Sequence, residues 1–392
     1  MKRLTLLLLG LALGVATTAK AQGLTMQMSN GWTFSFSGNV NAFWVFSADS
    51  TKAGKNSSIR TGLLPAFATF EAKGKEAGMN LGIHFGFAPQ VQNAGVHDHF
   101  GPDAAGAQID MRQVYMTIGF ADGSSLLVGR ELGLFQRQNI LTDMTLFGVG
   151  AVGTPQGGGT TLGRIGYGYI YPNFNAQVTY STSPKNPAQL SIGLFQPSTF
   201  LGGSIYSVTK MPRLEAEVTY HQTSGTNTFT VWAGAEWQST SSRDAGDSTK
   251  STIGGTAGVK ANIQDLSVVV SGYTGSGLGT TLGFTADAVA GNGTLRKSDG
   301  LIAQVTYAVD KKSTIGASWG TSRLKGSGTG ETSGPIGVVS LYTVGVYHQW
   351  TKSLKLVFEG SREVNAHSGP ETVLGGLTLN RTDISAGFML FY

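Results

Sequence analysis

Cysteine is absent from this chain, so neither a disulfide framework nor a thiolate metal site is open to it. Charge is scarce: Asp, Glu, Lys and Arg make up 13% of the residues, about half the usual share in a soluble domain. Beyond residue 15 no apolar run approaches the roughly 18 consecutive residues of a membrane-spanning helix. The long amphipathic helices of a soluble protein of this size are missing as well. Glycine runs the other way, at 57 of 392 residues, about twice the usual share.

The first residues read as an export signal. Met1-Lys2-Arg3 is a basic start, Leu4 to Val15 is apolar but too short to span a bilayer, and Ala19-Lys20-Ala21 offers small residues to a signal peptidase. Cleavage after Ala21 is expected, leaving 22–392 as the mature chain. Losing Lys2, Arg3 and Lys20 takes the 28 basic residues to 25, against 23 acidic. A net charge of about +2 does not imply nucleic acid, and it assigns neither anion nor cation preference.

What the chain has in abundance is period-2 alternation. Between Trp32 and Phe46, the residues Trp32, Phe34, Phe36, Val40, Ala42, Trp44 and Phe46 recur at every second position, broken only by Gly38. Small or polar residues mostly fill the gaps, with Phe43 and Val45 as exceptions. One greasy face and one wet face is the signature of a half-buried strand. The pattern returns at Met79–Phe87, Val114–Phe120, Phe174–Tyr180, Leu214–Tyr220, Phe229–Trp237, Ile253–Ala261, Leu301–Tyr307 and Leu354–Phe358, and the chain ends on it at Ile384–Tyr392. A bilayer-spanning strand needs only about 9–11 such residues.

The connections are unequal. Short links such as Asp122-Gly123, Asn262 to Asp265 and Asp310 to Lys312 alternate with long polar stretches: 52–58, 90–108, 131–161, 240–250, 275–298 and 361–381. Outer-membrane barrels have short turns at one end and long loops at the other. The fold expected is all-β, a transmembrane antiparallel β-barrel of about 16 strands, with 18 as the alternative.

In such a barrel the wet face lines a water-filled lumen. By parity Arg164, Arg213, Glu215, Glu217, Glu236, Lys260, Lys355 and Glu359 face it. Charged groups and pore width select solutes, although each of these residues can equally serve to hydrate the wall. The stretch 131–161 carries Leu132, Leu134, Phe135, Ile140, Leu141, Met144, Leu146 and Phe147, which need burial. A loop folded into the barrel would bury them and narrow the channel, with Glu131 and Asp143 as its acidic members.

The chain resembles the general, trimeric porins of Gram-negative bacteria. The likeness rests on Ser37-Gly38-Asn39-Val40, on Arg112-Gln113-Val114-Tyr115 leading to Asp122-Gly123, and on Val128-Gly129-Arg130 before the long loop. Arg164 to Tyr180 after it, with Tyr171-Pro172-Asn173-Phe174, and the terminal aromatic Tyr392 complete it. The resemblance implies a homotrimer in outer-membrane lipid, an inward third loop, and a chain end read by barrel-assembly machinery. It also implies wall arginines facing loop acids, and Arg60, Arg112, Arg130 and Arg164 stand at matching positions. Parity disagrees for two of them: Arg112 and Arg130 share a face with the outward Val114 and Val128, and need a bulge or a place above the membrane to reach the pore.

Other chemistry finds little support. Gly148 to Gly153 matches a dinucleotide fingerprint but lacks the preceding buried strand and the following helix. His97-Asp98-His99 reads as a solvated loop rather than a metal site. No Ser/His spacing suggests hydrolysis. The reading is therefore a channel, not an enzyme, with no cofactor and no metal, passing small hydrophilic solutes and ions. A substrate-selective uptake channel, or an enzyme or adhesin on a barrel scaffold, is the alternative.

Overall fold

The alternating segments pair into one continuous sheet. The computed structural model describes residues 23–50, 54–92, 109–153, 159–200, 206–242, 249–327, 337–367 and 380–392. The expected leader, 1–21, and the His97-Asp98-His99 stretch lie outside the described residues. The strands are β1 (Leu24–Gln27), β2 (Thr33–Asp49), β3 (Lys55–Arg60), β4 (Phe67–Glu76), β5 (Met79–Pro89), β6 (Ile109–Gly119) and β7 (Ser125–Leu132). There follow β8 (Phe174–Ser181), β9 (Ala188–Phe195), β10 (Tyr206–Val208), β11 (Arg213–Ser224), β12 (Asn227–Ser242) and β13 (Thr249–Ile263). The last are β14 (Leu266–Ser276), β15 (Lys297–Ala308), β16 (Ser313–Leu324), β17 (Gly337–Gln349), β18 (Leu354–His367) and β19 (Arg381–Phe391).

All pairs are antiparallel, and β19 returns to β2 in a register running from Arg381↔Asp49 to Phe391↔Asn39. The terminal alternation thus closes on the first, and a closed barrel has no edge to protect. β3 and β4 lie end to end along β2, opposite Phe43–Ala48 and Thr33–Asn39, as two lengths of one wall strand. β1 takes over the β19 side of β2 from Leu24↔Phe36, and β10 pairs with the end of β12. Counted this way the barrel has sixteen strands with short extra ones, so the alternative of eighteen falls away.

Burial follows parity. Along β2, Val40 and Trp44 are exposed on the outer face while Asn39, Asn41 and Ser47 are buried on the inner one. The same outer face carries exposed Ile192, Val259, Val344, Phe358 and Phe388. Such a belt would aggregate in water, and only a hydrocarbon surround accommodates it. Several strands outrun their alternation: β3 begins at Lys55, β12 runs to Ser242 and β18 to His367, inside stretches expected as loops. The hydrogen-bonded ladder continues there beyond the alternating segments.

The connection between β7 and β8 runs over 133–173, starting later and ending later than the expected 131–161. Its described residues carry one short helix, α1 (Arg137–Thr142), and a 3-10 turn, Met144–Phe147.

Candidate pore constriction and lumen wall

Segment 133–173 lies against inward-facing side chains of many strands. The Phe135 N–H donates to Glu215 Oε2 at 2.9 Å, and Arg137 pairs with Glu217 at 2.6 Å. Burial opposes charge on Arg137, but Glu217, with Glu131 and Glu215 adding to it, more than offsets this and leaves the guanidinium pKa raised. Asn139 accepts from Trp232 Nε1 at 3.0 Å. Gln304 accepts from the Met144 N–H and donates to the Thr142 carbonyl, at 2.7 and 2.9 Å. Val149 and Gly150 both donate to Glu359 Oε2, at 2.9 and 2.7 Å. Arg381 on β19 reaches the Gly153 carbonyl at 2.7 Å.

The wall also bends to meet the segment. Between β3 and β4 the main chain leaves the ladder, and the Leu63 and Leu64 N–H groups donate to Gly148 and Leu146 carbonyls. Asn41 bridges this break, accepting from the Gly62 N–H and donating to the Leu64 carbonyl. The glycine run read as a false nucleotide motif is here a close-packing device. A Cβ on Gly148 would stand 1.9 Å from Glu359 Oε1, and one on Gly150, at φ +58°, 2.5 Å from Gly163 Cα.

The two exceptions to the alternation of β2 now have a cause. Phe43 and Val45 point inward and pack with Val149, Val152, Tyr347, Val357 and Met389. A second cluster joins Leu63, Ile140, Leu146, Ile165 and Tyr169 to Ile302 of β15. Inward apolar residues thus gather on β12–β19 and β2, where the segment packs. On β4–β9 the inward positions are mostly polar or glycine, including Glu71, His84, Gln113, Gln177, Thr179 and Ser191. There Glu71 Oε1 meets His84 Nδ1 at 3.1 Å, His84 Nε2 meets Gln113 Oε1 at 3.3 Å, and Gln113 donates to Glu131 at 2.7 Å. The Tyr115 ring stacks on His84 at 4.6 Å.

The candidate residues divide. Arg213, Glu215, Glu217, Glu236, Lys260 and Glu359 are buried on the inner face, and Lys355 sits there 4.4 Å over the Phe147 ring. Arg213 pairs with Glu215 at 2.8 Å and lies between the Phe195 and Phe284 rings. Arg60 also points inward, donating to the Gly159 carbonyl at 3.1 Å.

Arg112 reaches the inside by a bulge. The pairing of β5 with β6 slips between Gly86 and Phe87, leaving Arg112 as the extra residue between Met111 and Gln113. It donates to Asp110 at 3.1 Å and to the Tyr171 hydroxyl at 3.2 Å.

Four expectations need correcting. Arg130 is exposed and stays outward, because the register from Val114↔Arg130 to Gly119↔Ser125 is unbroken. Glu131 belongs to β7 rather than to the loop. Asp143 does not face the wall arginines. It is turned into its own loop, accepting from Thr145, the Arg164 N–H and the Tyr169 hydroxyl at 2.9, 3.1 and 2.9 Å. Arg164 is not a wall residue but a fully buried loop residue, whose guanidinium donates to Ser318 Oγ, the Ser318 carbonyl and the Leu341 carbonyl. Burial lowers its pKa, with Asp143 opposing. Reasoning from sequence missed Glu71, Gln113, Gln177 and Arg381, whose wet-face parity was their only signal.

The profile of the family described as Gram-negative porin matches residues 5–366. The chain belongs to that family. Among solved structures, this porin is similar to the outer membrane channel DcaP of Acinetobacter baumannii, with a TM-score of 0.69 and 14% identity over 94% of this chain and 99% of that one. It is also similar to an anion-selective porin from Comamonas acidovorans (TM-score 0.66, 11% identity, 92% and 100% coverage). The trimer form of OmpT of Vibrio cholerae is a third (TM-score 0.52, 14% identity, 92% and 99% coverage). Among curated proteins none matches the sequence. This porin is an outer-membrane channel for solute diffusion, and its family and fold are those of a channel rather than an enzyme.

Proposed function

We propose that small hydrophilic solutes and ions diffuse passively, with no chemical step, between segment 133–173 and the arc of wall formed by β4–β9. The observation that carries this reading is the partition of the inner face. Apolar inward residues are covered by the segment on one side, while the Glu71–His84–Gln113–Glu131 chain stays polar on the other. Asp110 and Arg112 stand on the same arc toward the long loops, and Glu71 and Lys73 toward the short turns. Both signs of charge border the path, so width and local field act together.

We further read the chain as a homotrimer assembled in outer-membrane lipid after removal of 1–21. The trimer form of the Vibrio neighbour and the family support this. Tyr392, offered to assembly machinery before folding, ends in the closure seam: its main chain pairs with Gly38 and its ring packs 5.1 Å from Phe36.

The test uses the absence of native cysteine. In planar bilayers, Asp110→Cys and Glu71→Cys channels should lose conductance on addition of a water-soluble thiol reagent, whereas Ser318→Cys, behind the segment, should not. A reversed pattern would sink the proposed route. Conductance linear in solute concentration marks passive diffusion, and saturable block by one solute would favour the substrate-selective reading.

A further inference from the structure

Tyr171 touches two parts of the molecule that are far apart in the chain. Its N–H donates to the Thr281 carbonyl at 2.9 Å, and its backbone forms a parallel bridge with Leu282, both in the connection 277–296 between β14 and β15. Its hydroxyl accepts from Arg112 Nη1 on β6 at 3.2 Å. Pro172 follows it, and a residue before proline is held to extended backbone. Tyr171 is thus a short extended link between an outer loop and an arginine of the lumen wall.

Connection 277–296 is built to hold that link. The Gly277 N–H donates to the Arg296 carbonyl and the Arg296 N–H to the Ala288 carbonyl, both at 2.9 Å. Phe284 and Ala288 pack with Phe200 and with Tyr206 of β10. Leu278, fully buried, packs with Phe135 and Ile170 of the inward segment and with Tyr273 of β14. Gly166 completes the fit, because a Cβ there, at φ +87°, would stand 3.0 Å from Thr281 Oγ1. The tip of the connection, at Gly291 and Asn292, is exposed.

Arg112 is the receiving end. Its side chain is 13% exposed, with Nε 3.1 Å from Asp110 and the guanidinium 5.7 Å from the centre of the Phe174 ring. Asp110 is itself 41% exposed, and a solvent-exposed ion pair holds a long side chain weakly. The Tyr171 hydroxyl adds a second contact from another direction.

We propose that Tyr171 is a positioning residue for Arg112, and that connection 277–296 acts through it on the ion preference of the channel. With the hydroxyl in place, the guanidinium stays folded against the wall, where Asp110 offsets its charge. When the hydroxyl is lost, or the loop releases residues 170–171, the guanidinium extends into the water-filled path and favours anions. Two hydrogen bonds and one apolar cluster carry this coupling from the surface loop to the wall. It rests on the solute route along β4–β9 proposed above.

The test is the zero-current potential of folded channels in a salt gradient, with folding of each variant verified by heat-modified gel mobility. Tyr171→Phe, which removes only the hydroxyl, should shift the potential toward anion preference, opposite in sign to Arg112→Gln. Leu278→Ala, in a cluster to which Arg112 does not belong, should shift it in the same sense as Tyr171→Phe. Both shifts should vanish in the Arg112→Gln background. Shifts that persist in that background, or a Leu278→Ala channel with the parent's potential, overturn the proposal. Thiol block at Asp110→Cys judges the route separately: block there with persisting shifts defeats the coupling alone, and no block defeats the route.

Discussion

Glu359 Oε2 lies 2.7 Å from the Gly150 nitrogen, so a wall carboxylate on β18 holds the main chain of the inward segment. Its other oxygen accepts from Tyr347 at 2.7 Å. A fold built for transport thus uses a buried acid to fasten a loop rather than to meet a solute.

Glu359→Ala should free that part of the segment. Its loss leaves the buried Val149 and Gly150 N–H groups without their partner, at about 1–3 kcal/mol each, so the expectation is a lower unfolding temperature and larger, noisier single-channel currents. Quiet channels of unchanged conductance would count against the fastening role.

Arg164→Met is expected to be more damaging than any exposed charge change. It removes the three hydrogen bonds that the guanidinium donates to Ser318 Oγ and to the Ser318 and Leu341 carbonyls, bonds to a charged group being worth about 1.5–3 kcal/mol each. Thermal unfolding in detergent measures this, and a variant as stable as the parent would refute it.

The two contested arginines separate in one experiment. Arg112→Gln should shift the zero-current potential in a salt gradient, because the bulge turns Arg112 to the lumen. Arg130→Gln should leave it unchanged, since Arg130 shares the outer face with Val114. Equal shifts would mean that the register is misassigned.

Neighbours on β13 test the faces directly. Val259→Arg puts a charge on lipid near mid-height and should cost about 2–4 kcal/mol of insertion, read as loss of folded protein in membranes. Lys260→Glu, one residue on and inward, should assemble and move ion selectivity toward cations.

A pH effect belongs to the β15–β16 turn. Asp310 is held below the ordinary carboxyl range, first by the N–H groups of Lys312 and Ser313, both donating at 2.6 Å. With its folded pKa depressed, its contribution is present above the ordinary Asp pKa and fades as pH falls through the depressed value. The stability gap between the parent and Asp310→Ala should therefore be wider at pH 6 than at pH 2. A gap independent of pH would contradict this.

Much of the wall could be read in the chain because lipid imposes a strict rule on every second residue. Val259 and Phe388 had to be apolar wherever the loops went. The same rule concealed the inner surface. Phe43 and Val45 broke the alternation with no local explanation, and only the seating of Val149 and Val152 supplies one. Arg112 and Arg130 were indistinguishable by parity, since a single slipped pair between β5 and β6 separates them.

The sequence by itself therefore determined the barrel, its closing pair of segments and its outer face, because strand period and solvent are local constraints. Tertiary structure alone decided what fills the lumen. Asp143 turned inward to its own loop, Arg164 became a buried anchor, and the inner face of β4–β9 kept the polar chain from Glu71 to Glu131. Those outcomes depend on contacts between residues far apart in the chain, and no period in the sequence encodes where a folded loop comes to rest.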